Sequence, residues 1–400
     1  VAGALILADF LWLSRGLGHA GPGYRTWALD HGLYSDIIQL SVDHYVRAGL
    51  YIHPLPYLHD RIEYPVLLGF TLWLPTWLPG GPPTWFAVAG VLTAAATFGS
   101  IALVQRRDLR AAWWLAATPA LLLDAGINWD LIGIAFLVGG VVWFGERRYG
   151  LSGAATAAGS CFKLFPVVIA PMALSALGAR WFHAPAAGRR AAGRALASWV
   201  VPAALVGAVV VVPLGVVATS NVVWFIRFNG LRPQKDSVWE LVTRSLGSAV
   251  VTNRVVNVAS LVVVVVVMGY GAWRVWRVAD ADQSRAVALA SAVVIIVWMA
   301  VNKVWNPQYV LWVFAAGALI SMPARFGVAL GAVSVYDSVF EFAIRRPDVD
   351  STLLWSGEPL VAVRTLLFLA MAGWAARELH RLEARPVGPP PATALVRSAA

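Results

Sequence analysis

The sequence predicts an all-α integral membrane protein, a polytopic bundle of about ten to twelve spanning or re-entrant helices. Three observations predict it. Of 400 residues, 59% are hydrophobic and 13% charged, against roughly 45–50% and about 25% in soluble domains. Mean hydropathy is +0.69, more apolar surface than a water-soluble core can hide but not more than a bilayer accepts. Finally, Arg residues cluster in short segments between apolar runs, as topogenic charge does. This composition excludes disorder, collagen and disulfide scaffolds. The single Cys161 cannot form an intramolecular disulfide. A net charge of +10 without a basic domain fits membrane orientation better than nucleic acid.

Apolar runs fall at 65–79, 84–104, 111–124, 128–145, 151–177, 195–219, 251–274, 286–302, 308–322, 326–342 and 359–377. The first run, Val1 to Leu13, is shorter than the ~20 residues that a spanning helix needs. It suggests a mis-assigned start or a clipped helix. A cleaved signal peptide is the rival, without a preceding basic region or a clean cleavage site. The clusters Arg106/Arg107/Arg110, Arg147/Arg148, Arg180 to Arg194, Arg274/Arg277/Arg285 and Arg377/Arg381/Arg385 belong inside by the positive-inside rule. Stretch 111–145 then crosses twice, turning outside at Asp124 to Asp130. Segment 151–177 is too short for two crossings at about 1.5 Å per residue, so a short or re-entrant hairpin turning near Lys163-Leu-Phe-Pro166 is expected. Segments 220–250, 302–308 and 343–358 fall outside, as does the first loop, 14–84, with 65–79 dipping into the membrane. One polytopic domain therefore covers 1–385, and 386–400 is expected to be a disordered cytoplasmic tail.

Ionisable residues without a topogenic role gather on the extracytoplasmic side. The first loop holds Asp30, His31, Asp36, Asp43, His44, His53, His59, Asp60 and Glu63 among Tyr and Trp, which has the look of a site. No Walker A loop, dinucleotide fingerprint, HExxH or Gly-x-Ser-x-Gly occurs. A lipid-linked substrate is therefore favoured over a nucleotide. Apolar residues at 37, 38, 40, 42 and 46 suggest an interfacial helix with Asp36 at its N-terminal edge. There Asp36 is either a capping carboxylate or a general base in a partly dry groove. Asp43-His44 reads as surface, and Glu63-Tyr64-Pro65 as the return to the membrane. Asn128-Trp129-Asp130 reads as a helix-capping turn.

The chain has only three Lys among 31 basic residues, and Lys163 and Lys303 interrupt apolar runs near the outer face. Snorkelling and phosphate binding explain them equally well. Arg227, Arg232 and Lys235 in the loop after Trp224 form an outward basic surface suited to an anionic headgroup or a phosphate leaving group.

Four ordered segments together resemble actinobacterial members of glycosyltransferase family 87, polyprenyl-phosphate-sugar-dependent C-type membrane glycosyltransferases that include mannosyltransferases. They are Tyr34-Ser-Asp-Ile with Pro56-Tyr57 and Glu63-Tyr-Pro-Val-Leu67; Ile127-Asn-Trp-Asp-Leu131; Lys163-Leu-Phe-Pro166; and Asn302-Lys-Val-Trp-Asn-Pro-Gln-Tyr-Val-Leu-Trp312. The resemblance implies a C-type architecture, metal-independent chemistry and a catalytic aspartate in the first loop, matched by Asp36. Lys163 matches the family's Lys-aromatic-Pro pattern. Asn302, Lys303, Pro307 and Gln308 match its Asn-Lys-Val pattern, and Arg227, Phe228 and Asn229 its Arg-Phe-Asn. Trp305-Asn306 departs from the more usual Tyr-Ser, a change at the expected acceptor contact, and the first helix is short.

The expected reaction is transfer of a hexose, by resemblance mannose, from a polyprenyl-phosphate carrier to an extracytoplasmic glycan or glycolipid hydroxyl, with inversion. Asp36 would be the base, and Lys163, Lys303 and Arg227 would stabilise the leaving phosphate. Asp130 and Glu63 are runner-up carboxylates, with Tyr34, Tyr64, Asn128, Asn302 and Gln308 as further substrate contacts. No cofactor or metal is required. The expected partners are the lipid-linked donor, the acceptor and membrane lipid, not nucleic acid. A transporter or lipid flippase is the rival from another class, and a non-catalytic scaffold is the third reading.

Overall fold

A computed structural model describes residues 1–46, 55–58, 60–344 and 357–384. The tail 386–400, residues 345–356 of the expected outer loop, His53 and His59 lie outside the described residues. Among the described residues there is no β-strand, only an isolated parallel bridge between Lys235 and Val304. The chain begins with α1 (Ala2–Ser14), α2 (Tyr24–Asp30) and α3 (Asp36–Ser41). It continues with α4 (Val66–Trp73), α5 (Gly81–Gln105), α6 (Leu109–Ala116), α7 (Ala120–Leu123) and α8 (Asp130–Gly145). Next come α9 (Tyr149–Lys163), α10 (Ile169–His183), α11 (Ala186–Val217), α12 (Thr219–Val222) and α13 (Trp224–Leu231). The last are α14 (Val238–Leu246), α15 (Asn253–Arg277), α16 (Gln283–Val301), α17 (Val310–Leu319), α18 (Ala324–Ile344) and α19 (Gly357–Glu383).

Among the described residues six helices are long and apolar enough to cross a membrane: Gly81–Gln105, Phe165–His183, Ala186–Val217, Asn253–Arg277, Asp280–Val301 and Pro359–Glu383. Four apolar helices are shorter: Val66–Trp77, Leu109–Leu123, Asp130–Gly145 and Pro307–Leu319. The expected ten to twelve is therefore reached only by counting helices below spanning length, because hydropathy does not register where a helix breaks. α16 and α17 are buried nearly throughout and form the centre of the bundle. α11 and α15 instead expose most of their Val-rich length, Val209 and Val216 being 72% and 76% exposed. A bilayer covers such a surface; water does not. Where two helices meet closely, small residues allow it. A Cβ added at Gly153 of α9 would lie 2.1 Å from the Trp199 carbonyl oxygen of α11.

Ion pairs identify one end of the bundle. Arg106 and Arg148 reach Glu146 at 3.7 and 3.9 Å, joining the ends of α5 and α8, so 109–145 leaves this end and returns to it. Arg277 binds Glu383 at 2.7 Å, and Arg274 contacts Glu383 and His380 beside it. Arg180, at the end of α10, bonds the Tyr149 hydroxyl at the start of α9 and pairs with Asp280. Segment 149–183 is thus the expected hairpin, turning at Leu164, whose φ of +50° breaks the helix immediately after Lys163. Lys163 is thereby carried to the opposite end. The 15 residues of α9 rise only about 22 Å, short of the ~30 Å hydrocarbon core.

Candidate functional site

A cavity of about 550 Å³ opens at the end opposite the Arg clusters. Its first wall comes from the first loop and the α7–α8 turn, which distant hydrogen bonds staple together. Ser35 Oγ donates to the Gly126 carbonyl at 2.6 Å, and the Asp36 amide to the Ile127 carbonyl at 2.7 Å. Ser35 is extended, so Asp36 enters α3 as its first residue with its carboxylate directed to other side chains. Tyr34 OH donates to Oδ1 and Asn128 Nδ2 to Oδ2, both at 2.6 Å. Asp36 is therefore not a cap: both oxygens are held by side chains. Burial pushes its carboxyl above the usual carboxylate range; bonds from Tyr34 and Asn128 and the Lys163 charge oppose this, and Glu63 adds to it.

Asn128 also donates to Tyr64 OH at 2.9 Å, while its Oδ1 accepts from the Trp129 amide at 2.6 Å and Lys163 Nζ at 2.8 Å. Lys163 Nζ lies 3.1 Å from Asp130 Oδ1, which also accepts from Trp312 Nε1 at 2.9 Å. Asp130 is 1% exposed and lies behind the cavity lining, which corrects its placement as a substrate contact. Neither does it cap α8. The Lys163 ammonium and the Trp312 indole hold it inward.

Glu63 and Tyr64 reach the cavity because Tyr57 OH binds the carbonyls of Tyr64 and Pro65 at 3.0 and 2.8 Å. The Tyr57 ring lies against Gly69, where an added Cβ would come within 2.3 Å of it. His44 pairs with Asp60 and, through Nε2, with Glu63 at 3.6 Å, and Asp43 accepts from Gln39 at 2.6 Å. Burial alone would lower the His44 pKa, but its bonds to Asp60 and Glu63 outweigh that and push it up to about 9. The folded value exceeds the unfolded one, so this clasp contributes fully below pH 6.5 and is lost as pH rises through about 9. Protection of the Arg61 to Tyr64 amides from hydrogen exchange, taken relative to the intrinsic base-catalysed rate at each pH, should fall as pH rises through about 9 in the parent protein, whereas His44→Gln should show low protection throughout.

A second group of lining residues is cationic. Lys303 Nζ donates to the Gly230 carbonyl at 2.9 Å and to Asn253 Oδ1 at 3.1 Å. Among the described residues no carboxylate pairs with it. Burial and the neighbouring Arg232 push its pKa down to about 8. Backbone bonds from Lys235 N to Lys303 O and from Trp305 N to Lys235 O, at 3.0 and 2.9 Å, zip the Arg232–Lys235 segment to the Lys303–Trp305 turn. A buried clasp secures this zipper: Arg364 binds Asp337 at 2.6 Å and reaches the Asp236 carbonyl, and Trp305 donates to Asp337. Trp305 is thus buried against α18 and α19 and does not line the cavity, whereas Asn306 does.

Of the expected site residues, Tyr34, Asp36, Glu63, Tyr64, Asn128, Lys163, Asn302, Lys303 and Gln308 line this one cavity. Arg227 does not: it sits exposed over the Trp224 ring on the outer side of α13. Arg232, just past the end of α13, takes its place in the lining with Lys235. Sequence reading passed over Arg25, Tyr309 and Trp312, which also line it. The signal for Arg25 was an arginine placed outside, against the positive-inside trend. Asp30, His31 and Asp43 lie off the lining. Two Asp-x-Asp pairs occur in the chain. Asp280-Ala-Asp282 is at the Arg-rich end, and Asp348-Val-Asp350 lies outside the described residues. Among the described residues no group of three or more His, Cys, Asp or Glu comes together as a metal site.

Fold and site define a helical membrane protein with a polar cavity at one end, lined by carboxylates and by several cations. No protein-family model matches the chain, and no curated protein matches it.

Proposed function

We propose that this protein is a membrane glycosyltransferase of the C-type, similar to family 87, that moves a hexose, by that resemblance mannose, from a polyprenyl-phosphate carrier to a glycan or glycolipid hydroxyl. The acceptor oxygen attacks the anomeric carbon as the bond to phosphate breaks, Asp36 takes the hydroxyl proton, and the configuration inverts. The departing polyprenyl phosphate gains a negative charge. Lys303, Arg232 and Lys235 stabilise it, with Asn302 and Gln308 as neutral contacts. The displacement as written needs no metal or cofactor. One observation carries this reading: the doubly held Asp36 carboxylate and the Lys303 and Arg232 cations line a single cavity of about 550 Å³, within the range of small-molecule sites. With the Arg clusters assigned to the cytoplasm, the cavity faces the extracytoplasmic side of the cell membrane.

A flippase or transporter would be expected to place its charges along a path near the midplane, whereas these are grouped at one end. The test uses purified protein in nanodiscs with polyprenyl-phosphate mannose and a panel of glycolipids, read by mass spectrometry. The expected result is an acceptor heavier by one hexose with release of polyprenyl phosphate. Absence of transfer from any lipid-linked sugar, or movement of the intact lipid across a vesicle instead, overturns it.

A further inference from the structure

We propose that Lys163 is a positioning residue of the Asp36 base, acting through the amide of Asn128, and not a ligand of the leaving phosphate. Its kinetic consequences rest on the glycosyl-transfer reading; its structural consequence does not.

An ammonium has three N–H donors; two oxygens, one amide and one carboxylate, meet that of Lys163, and its charge lies over an aromatic ring. Asn128 Oδ1 is at 2.8 Å, Asp130 Oδ1 at 3.1 Å, and the Tyr64 ring face at 4.8 Å. What sets it apart is its charge, which the buried Asp130 carboxylate already balances. Lys303 contrasts with it: two neutral acceptors, no carboxylate among the described residues, and one donor left over.

What Lys163 controls is the direction of an amide. An Asn side chain can be flipped end for end, exchanging its oxygen and nitrogen. Here Oδ1 is committed to two donors, the Trp129 amide and the Lys163 ammonium. Nδ2 must therefore point the other way, where it donates to Asp36 Oδ2 and to Tyr64 OH. A flipped amide would set its oxygen against the Asp36 carboxylate. Having accepted from Asn128, Tyr64 is left with its own proton to donate into the cavity. The order Asp130, Lys163, Asn128, Asp36 is thus a polarised chain, anchored at its far end by the Trp312 indole. Lys163 keeps Asp36 a carboxylate with a defined acceptor direction. The charged and polar groups around Asp36 are Tyr24, Tyr34, Tyr64, Asn128, Lys163, Glu63 and Tyr309. Of these, Lys163 supplies the cationic charge that opposes the effect of burial.

The test compares the parent protein with Lys163→Met/Asp130→Asn, which removes the ion pair as a unit and leaves no buried charge, and with Asn128→Leu, which leaves the pair intact but cuts the relay. Thermal unfolding reports folding. Steady-state kinetics report kcat and donor KM, and infrared titration reports the Asp36 carboxyl band, assigned by its loss in Asp36→Asn. In both variants the proposal expects a donor KM within about twofold of the parent. It expects kcat at neutral pH lower by about 100-fold, with the acidic limb and the Asp36 band both moved up by about one pH unit or more. Combining the two sets of changes should add little. A raised donor KM with an unmoved acidic limb would make Lys163 a phosphate ligand and overturn the proposal. An unmoved Asp36 band in folded protein would also overturn it, leaving a purely structural ion pair. If the parent transfers no hexose, the glycosyl-transfer reading fails alone, and the infrared titration still decides the role of Lys163. If the double variant does not fold, Asn128→Leu decides by the same readings.

Discussion

Asp36→Asn removes hexose transfer while the protein still folds and still binds donor. The substitution preserves shape, so Tyr34 can still donate to the side-chain oxygen. The other contact becomes amide nitrogen against amide nitrogen, at Asn128, a cost of about 1–2 kcal/mol for an unsatisfied polar contact. That is tolerable for a bundle whose core lies elsewhere, in α16 and α17. The loss of the base is not tolerable, because positioned general bases contribute about 10²–10⁴-fold and no other carboxylate occupies the same place. Glu63 lines the cavity but is drawn toward His44, and Asp130 is buried behind Lys163. The expected outcome is a fall of at least about 100-fold in kcat with little change in donor KM or unfolding temperature. Full activity in Asp36→Asn would remove the assignment of the base. In the parent protein the rate should rise with pH through a value above the ordinary carboxylate range, because burial raises Asp36 and only the ionised form accepts a proton.

Lys303→Met should act on the other half of the reaction. A charge-assisted bond to phosphate contributes about 1.5–3 kcal/mol, which corresponds to about 10–100-fold in donor affinity. The sign of the pH dependence follows from the lowered pKa. Lys303 is charged below about 8 and neutral above it, so donor binding should be strong below that pH and weaken as pH rises through it. Arg232, which shares the wall, keeps its charge and should leave residual binding. Donor KM measured from pH 6 to 10 therefore shows an alkaline rise in the parent protein and a high, flat profile in Lys303→Met. A parent profile flat across pH 8, or an unchanged KM in the variant, contradicts the phosphate role.

Much of the site was legible because its parts have unusual local chemistry. A chain with three Lys that places two of them inside apolar runs marks those positions by cost alone. An acidic, aromatic loop between apolar runs marks itself in the same way. What was not legible is direction. Arg227 and Arg232 are five residues apart in one basic stretch, and only the end of α13 at Leu231 sends the second into the cavity and leaves the first outside. Trp305 and Asn306 are neighbours, yet one is buried against Asp337 and the other faces the cavity. Lys163 and Lys303 look equivalent along the chain. They differ because Asp130 lies beside one of them and no described carboxylate pairs with the other.

By itself the sequence determined that this is a helical membrane protein, where its apolar stretches lie, and which end carries the arginines. These are properties of composition and of charge along the chain, and the bilayer imposes them on any fold the chain could adopt. Which carboxylate is held ready, which cation is left without a counter-ion, and which way the Asn128 amide points were decided only in three dimensions. They depend on contacts between residues up to 182 positions apart, such as Trp312 with Asp130. Hydrogen bonds and ion pairs of that kind depend on distance and angle in space, and position along the chain carries neither.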